Sequence, residues 1–421
     1  MTGVSETGML ERLRRADWLK QDEMRAVFEA LGAGGHVVRA VGGAVRDTLL
    51  GRRVSDVDLA SDATPQEVMK LAQKAGLKAV ATGIDHGTVT VIANGKPFEV
   101  TTLRCDVETY GRRARVTFTR DWEADARRRD FTINALYADP DGTLYDPVGG
   151  LKDIEAGRVR FIGDARTRIR EDYLRILRFF RFCAELEATQ LDAEALRACV
   201  SERKGLERLA RERVHSELCR LLRAPGAVRV LQAMFDHGLL VGILASVPLL
   251  ARLERLCALE VGYGRQPDAM LRLAALALHV EEDAARLAER FRLSKAEAEI
   301  LVAASRYRLF LPRPDAQRAR VLLYRLGEAC YRHALIMAQA AEGRDAEAAV
   351  WRKLYDMAAE GVPAFPLKGA DIIALGVPRG PRVGEVMRQV EKVWIESGFS
   401  SGRAALLREA RAIAERLKKE E

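Results

Sequence analysis

The sequence predicts an α+β protein: a head of about 150 residues built on a mixed β-sheet, followed by a long all-helical remainder. Two patterns carry this prediction. Between residues 36 and 103, short runs of alternating apolar and polar residues are punctuated by Gly, Asn and Pro, as strands and turns require. Beyond about residue 150, apolar residues recur at helical spacing almost to the end. A chain of 421 residues exceeds what one hydrophobic core usually serves, so more than one domain is expected.

Taken in order, residues 8–33 read as one amphipathic helix carrying Trp18, Met24, Val27, Phe28 and Leu31. HVVRAV (36–41) is a strand, Gly42-Gly43 a turn, and AVRDTLLG a short helix closed by Gly51. VSDVDLA (54–60) alternates as a strand. Thr64-Pro65 opens a helix that Gly76 closes. TVTVIANGKPFEVTTL (88–103) is a hairpin turning at Asn94-Gly95. The arginine-rich stretch 104–129 shows no clear period, and 104–120, around Gly111, is expected to be a mobile loop. FTINALYA and TLYDPVGG complete the head. Helices follow over 169–187, then to about 310 and 360, with Gly and Pro clustered at 362–384 and a last charged helix at 402–420.

Hydrophobic content of 48% and charged content of 30% fit a soluble globular chain. The net charge of +8 allows a polyanionic partner. Cys105, Cys183, Cys199, Cys219, Cys257 and Cys330 are scattered without CxxC spacing. That argues against a zinc site or a disulfide framework and fits a reducing cytoplasm. The N-terminal segment has no apolar core of the secretory type, and LLVGILASVPLL (239–250) is too short to span a bilayer.

The chemistry concentrates in SDVDLA. On a strand, residues i and i+2 share a face, so Asp56 and Asp58 would project side by side. Two such carboxylates repel and raise each other's pKa unless a cation joins them. Mg²⁺ prefers oxygen donors and commonly takes one or two carboxylates plus substrate phosphates. Glu99, in FEVTT, is the candidate third carboxylate. A lone DxD is more often a solvated edge; the neighbouring turn strengthens this one. Gly42 and Gly43 lie between a strand and a helix, where backbone N–H groups can approach a phosphate, and Arg46 follows one turn later.

VGGAVRDTLLGRRVSDVDLA (41–60), RRDFTINALY (128–137), YDPVGGLKDI (145–154) and REDYLRILRFFRF (170–182) together resemble the class II tRNA CCA-adding enzymes and the related bacterial poly(A) polymerases. The resemblance implies a nucleotidyltransferase head at 35–150 behind an N-terminal helix at 1–34. It further implies a helical neck with the base pocket at 151–215, and a body and tail at 216–421 that bind tRNA. By resemblance Asp56 and Asp58 hold the metal, Mg²⁺, while Gly43, Arg46 and Arg129 contact the triphosphate. Asp172, Arg175, Arg178 and Arg181 match the base pocket. Asp130 and Asn134 either cap a helix or orient Arg129 and a ribose hydroxyl. The implied partners are the tRNA acceptor arm, ATP and CTP, with no obligate protein partner.

The pocket residues also have a direct reading. Asp172 and Arg175 at i, i+3 would share a helical face that Arg178 and Arg181 continue. A carboxylate only accepts and a guanidinium only donates. Cytosine and adenine both present an amino donor beside a ring-nitrogen acceptor; uracil and guanine present the reverse. One Asp–Arg pair therefore suits C and A. The plainer alternative is a surface salt bridge between Glu171 and Arg175 at i, i+4. A poly(A) polymerase, or a relative adding only A or only CC, would share the motifs. Against a polymerase stands the character of 82–104, and against a CC-only enzyme the presence of 104–120. A non-catalytic RNA-binding relative should have lost one of Asp56, Asp58 or Glu99. No His-Asp pair marks a second active site.

Overall fold

The computed structural model describes residues 5–110, 113–188, 190–343 and 347–419. They form two compact units, Met1–Ser246 and Val247–Glu421.

The first unit opens on two helices, α1 (Glu6–Arg14) and α2 (Asp22–Gly32), with a short 3-10 turn at Asp17–Lys20 between them. The single helix expected over 8–33 is thus three pieces. Arg15 caps α1, and Ala16 and Gln21 are extended on either side of the turn that buries Trp18 and Leu19. Strand β1 (Val38–Val41) leads into α3 (Gly43–Leu49). Strand β2 runs over Asp58–Ser61, and α4 (Pro65–Lys74) starts on a capping box between Thr64 and Glu67. Strands β3 (Lys78–Gly83), β4 (Thr88–Ala93) and β5 (Lys96–Thr102) follow. Asn94 and Gly95 between β4 and β5 both have positive φ, 47° and 81°, as a tight hairpin turn requires.

The stretch expected as a loop is instead a two-stranded ribbon, β6 (Arg104–Tyr110) and β7 (Arg113–Phe118), then α5 (Trp122–Arg127). Antiparallel pairing closes the ribbon on itself. The alternation is present in the sequence but is one of charged with short residues: Arg104, Asp106 and Glu108 in β6 and Arg113 and Arg115 in β7 fall on alternate positions. Gly111, the expected pivot, lies outside the described residues. Short strands β8 (Tyr137–Ala138) and β9 (Leu144–Tyr145) complete the main sheet.

That sheet has seven strands in the order β3-β4-β5-β2-β1-β8-β9. Only β2 and β5 run parallel; the other neighbours are antiparallel. On one face Val38, Ala40, Leu59, Val89, Val91, Phe98 and Val100 are buried under α2, α3 and α4. On the other face, Val41, Ala60 and Tyr137 join a small cluster with Leu103, Ala126 and Ile162. Asp58 and Glu99 lie beside that cluster, still exposed.

Helices complete the first unit: α6 (Gly150–Glu155), α7 (Ala165–Glu171), α8 (Leu174–Glu185), α9 (Ala193–Ser201), α10 (Arg211–Arg223), α11 (Ala227–Asp236) and α12 (Leu240–Leu244). The helix expected over 169–187 is therefore two, α7 and α8. Asp172 between them is extended, at φ −152° and ψ 106°. A side chain at Gly205 would strike the Tyr173 ring at 1.9 Å, so this close packing fixes the break.

The second unit is helical: α13 (Leu250–Gly262), α14 (Ala269–Ala277), α15 (Asp283–Phe291), α16 (Lys295–Ser305), α17 (Ala316–Glu342, kinked at Gly327), α18 (Ala348–Asp356), α19 (Gly369–Ala374), α20 (Pro381–Glu396) and α21 (Arg403–Lys419). Its last three helices share a core of Ile372, Val386, Val390, Trp394 and Leu406. Among the described residues no helix is long and apolar enough to cross a membrane.

Candidate active site

Register brings the acidic residues together. Strand β1 pairs Val41 with Asp58, so Gly42 follows directly beside the start of β2. The parallel pairing of Leu59 with Val100 sets Asp58 alongside Glu99. Asp56 and Asp58 do not share a strand as expected. The strand begins at Asp58, while Asp56 precedes it outside any strand and accepts from Ser55 Oγ at 2.9 Å. Both aspartates are exposed, and Val57 between them is buried. Although Asp58 is exposed as a residue, its carboxyl is partly enclosed by protein; that burial first, then the charges of Glu99 and Asp56, push it above its ordinary range, and Arg129 offsets only part of that. The site is therefore an acid cluster with excess negative charge.

Around it stands a set of held arginines. Gly42 has φ 73°, a conformation glycine adopts freely, and a side chain there would sit 3.9 Å from Arg129 Nη1. Arg129 donates to Asp125 Oδ2 from Nε at 3.2 Å and from Nη2 at 3.0 Å, and from Nε to the Tyr137 hydroxyl at 3.2 Å. Tyr137 in turn donates to Asp125 at 2.8 Å. Burial works to raise the Asp125 pKa, but Arg129 and Arg128 outweigh it and hold the carboxyl below the usual range. Arg46, buried, donates from Nη1 to Asn134 Oδ1 at 2.6 Å and from Nε to Asp47 at 2.9 Å.

Asn134 passes the connection on. Its Nδ2 donates to Asp130 Oδ1 at 3.0 Å, and Arg178 Nε donates to Asp130 Oδ2 at 2.7 Å. Burial opposes ionisation of Asp130, yet Arg178 and Asn134 keep its pKa lowered. Asp130 and Asn134 thus neither cap a long helix nor touch Arg129; they bridge Arg46 to Arg178. The Arg46, Arg178 and Arg181 guanidiniums lie 5.0, 5.4 and 3.9 Å from the Phe182 ring centroid. Phe131 and Tyr137 are fully buried, as core residues should be.

The base-pocket group is arranged differently from its expected helical face. Asp172 lies outside both helices and accepts from Arg213 Nη1 at 3.1 Å and Nη2 at 2.7 Å. Arg175 pairs with Glu171, the plainer alternative, and donates to the Arg168 carbonyl at 2.7 Å. Arg181 is 1% exposed and locked to Glu217 Oε2 at 2.5 Å and Glu185 Oε1 at 2.8 Å. Asp172, Arg175 and Arg178 retain partial exposure. The sequence reading missed Asp125, Arg213 and Glu217. Asp125 was legible, since it stands at i, i+3 and i, i+4 to Arg128 and Arg129. Arg213 and Glu217 reach their partners from a separate helix, and no local spacing announces them.

Residues 38–160 match the family described as "Poly A polymerase head domain", and residues 190–252 match "Probable RNA and SrmB- binding site of polymerase A". The chain is 34% identical to the "CCA tRNA nucleotidyltransferase 1, mitochondrial" of Mus musculus, over 91% of this chain and 88% of that one. It is 31% identical to the CCA-adding enzyme of Lactobacillus gasseri, over 90% of this chain and 94% of that one. Among solved structures, a CCA-adding enzyme of Bacillus stearothermophilus in complex with CTP is similar at TM-score 0.73 and 29% identity, covering 94% of this chain and 98% of that one. A Thermotoga maritima CCA-adding enzyme complexed with tRNA shares the fold at TM-score 0.70 and 20% identity, covering 97% and 98%.

Proposed function

The chain belongs to the CCA-adding tRNA nucleotidyltransferase family, and from that premise we propose which of its residues carry the reaction. The enzyme adds C, C and A to the 3′ end of tRNA from CTP and ATP, with release of pyrophosphate and no nucleic-acid template. The bond formed joins the tRNA 3′-oxygen to the α-phosphorus; the bond broken releases the β- and γ-phosphates.

Asp56 and Asp58, with Glu99 beside them, are the residues that would hold a divalent cation, Mg²⁺ by the preference of an all-oxygen donor set. The strand register, which sets Asp58 alongside Glu99 and next to the Gly42 corner, is the single observation that supports this best. When bound, the cation supplies Lewis acidity and charge neutralisation for transfer to the α-phosphate. Gly42 and Gly43 give the triphosphate close backbone approach, and Arg46 and Arg129 counter its charge. Asp125, Tyr137, Asn134 and Asp130 hold those two arginines in place.

Asp172 and Arg175 read the incoming base. Arg213 and Glu171 orient them, since a bidentate carboxylate retains lone pairs and a guanidinium bound at one nitrogen retains donors. Arg178 stands between the base pocket and the phosphate side through Asp130. Buried Arg181 supports the helix from beneath. The neck pocket spans 151–215, and 216–421 binds the tRNA acceptor arm. Free cysteines throughout support a cytoplasmic location, which fractionation of cells would test.

The experiment that tests the activity offers the chain tRNA ending before CCA, after C and after CC, each with one labelled nucleotide. CTP should extend the first two and ATP only the third. Extension of every substrate by ATP into long tails would replace this function with poly(A) synthesis.

A further inference from the structure

The second unit contains a cleft of about 550 Å³ bordered by Leu249, Leu250, Arg252, Arg255, His279 and Tyr307. The rest of its lining is Pro and Ala, so no Asp, Glu, Asn or Gln side chain faces it among the described residues. The arginines there are held by main-chain carbonyls. Arg252 donates to Ala275 O at 2.7 Å and to Ala274 O at 3.1 Å, at the end of α14. Arg255 donates to Ala340 O at 2.6 Å, near the end of α17. Arg308, just outside the lining, donates to His279 O at 3.0 Å.

Carbonyls orient a guanidinium without cancelling its charge. Other buried arginines of this chain have carboxylate partners: Arg46 has Asp47, Arg181 has Glu217, and Arg272 has Glu260. Here buried Arg252 and half-buried Arg255 are held by main-chain carbonyls instead, with exposed Arg308 near them. Burial, together with the charges of Arg255 and Arg308, pushes Arg252 below its ordinary range even though Tyr307 opposes the shift. A cleft that concentrates positive charge in this way is stabilised by an anion.

The lining also selects the kind of anion. A nucleobase edge would meet aliphatic side chains and donors but no carboxylate or amide. A phosphate oxygen would meet the two guanidiniums, which only donate, while the Tyr307 hydroxyl and the His279 ring can each donate as well as accept. The cleft far exceeds one phosphate in size, so chain can continue on both sides of the bound group. We propose that this cleft seats a backbone phosphate of the RNA substrate, with Arg255 as its principal charged contact and Arg252 and Arg308 behind it. The proposal rests on RNA being the substrate, as argued above.

Its test measures binding of the full chain to tRNA lacking CCA, without nucleotide, over a range of salt. The variants are Arg255→Gln, Arg255→Lys and Arg308→Gln. Each phosphate contact contributes about one to the slope of log affinity against log salt concentration. Arg255→Gln should weaken binding several-fold at moderate salt and lower the slope by about one. Arg255→Lys, which keeps the charge but loses the Nε–H donated to Ala340 O, should retain the slope. A parent slope and affinity in Arg255→Gln would overturn the proposal. So would a lysine variant as defective as glutamine, because that hydrogen bond rather than the charge would then matter. Inorganic phosphate is titrated in parallel. If Arg255→Gln loses phosphate binding while tRNA binding stays at the parent level, the cleft serves a free anion and the RNA assignment is wrong. The measurement contains no nucleotide and reads no chemistry, so failure of the head assignment leaves its outcome interpretable.

Discussion

Arg178 Nε donates to Asp130 Oδ2 at 2.7 Å, tying helix α8 to the turn that precedes Phe131. Asp130 also accepts from Asn134, whose amide oxygen receives Arg46. One carboxylate therefore connects the residues assigned to the triphosphate with those assigned to the base.

Asp130→Asn should be costly, because it leaves Arg178 facing a neutral group in a largely buried site. Breaking such a pair costs about 3–5 kcal/mol. The Asp130 pKa is lowered in the folded state. Its contribution is thus present above the unfolded value near 3.9 and is lost as pH falls through the lower folded value. Thermal melts should show parent and variant converging as pH drops below about 4. A constant difference across that range would contradict the linkage.

Glu217→Gln should destabilise by a similar mechanism, since it strands the Arg181 guanidinium, which is 1% exposed. Denaturant unfolding should show a loss of about 3 kcal/mol or more. A loss under 1 kcal/mol would mean that Glu185 alone satisfies Arg181.

Much of this arrangement was legible in the sequence, and the reasons are local. The Asn94-Gly95 turn, the Thr64 cap and the Gly42 corner each rest on residues within four positions of one another. The single helix expected over 169–187 failed at Asp172 because a tertiary contact, Tyr173 against Gly205, decides the break. Strand β2 starts four residues later than its alternation suggests, since β1 ends at Val41, opposite Asp58, and offers residues 54–57 no partner. The strands 104–110 and 113–118 were passed over because their alternation is of charged with short residues and lacks the large apolar face that marks β4 and β5.

Asp172→Ala should relax base choice by roughly tenfold to a hundredfold, equivalent to 1–3 kcal/mol for an unmatched polar group. Arg213→Ala should do the same more weakly, through loss of orientation. Competition of CTP against UTP, and of ATP against GTP, reads this directly. Triphosphate affinity should change less in both than in Arg129→Ala. Undiminished rejection of UTP and GTP by Asp172→Ala would end the edge-reading account.

Replacing Glu108 through Arg115 with a short Gly/Ser linker should leave C addition largely intact and stall products at CC. On the proposed assignment the base pocket enlarges for a purine, and a two-stranded ribbon outside the main sheet can adjust where a packed helix cannot. Equal loss of C and A addition would make the ribbon a general structural element.

Asp58→Asn should raise the melting temperature of the metal-free chain. A raised carboxylate pKa means that folding opposes the charge, so the parent loses stability as pH rises through the unfolded and then the folded value. Removing the charge removes that loss. An unchanged or lower melting temperature at neutral pH would contradict the strained acid cluster.

The most direct measurement is single-turnover transfer of CMP to tRNA lacking CCA by Asp56→Asn and Asp58→Asn, beside binding of tRNA by the same proteins. Loss of a metal-holding carboxylate should cost about 4 kcal/mol of transition-state stabilisation, or roughly a thousandfold in rate, with tRNA affinity close to the parent. Transfer within tenfold of the parent in either variant would contradict the assignment of these two aspartates as the seat of the reaction.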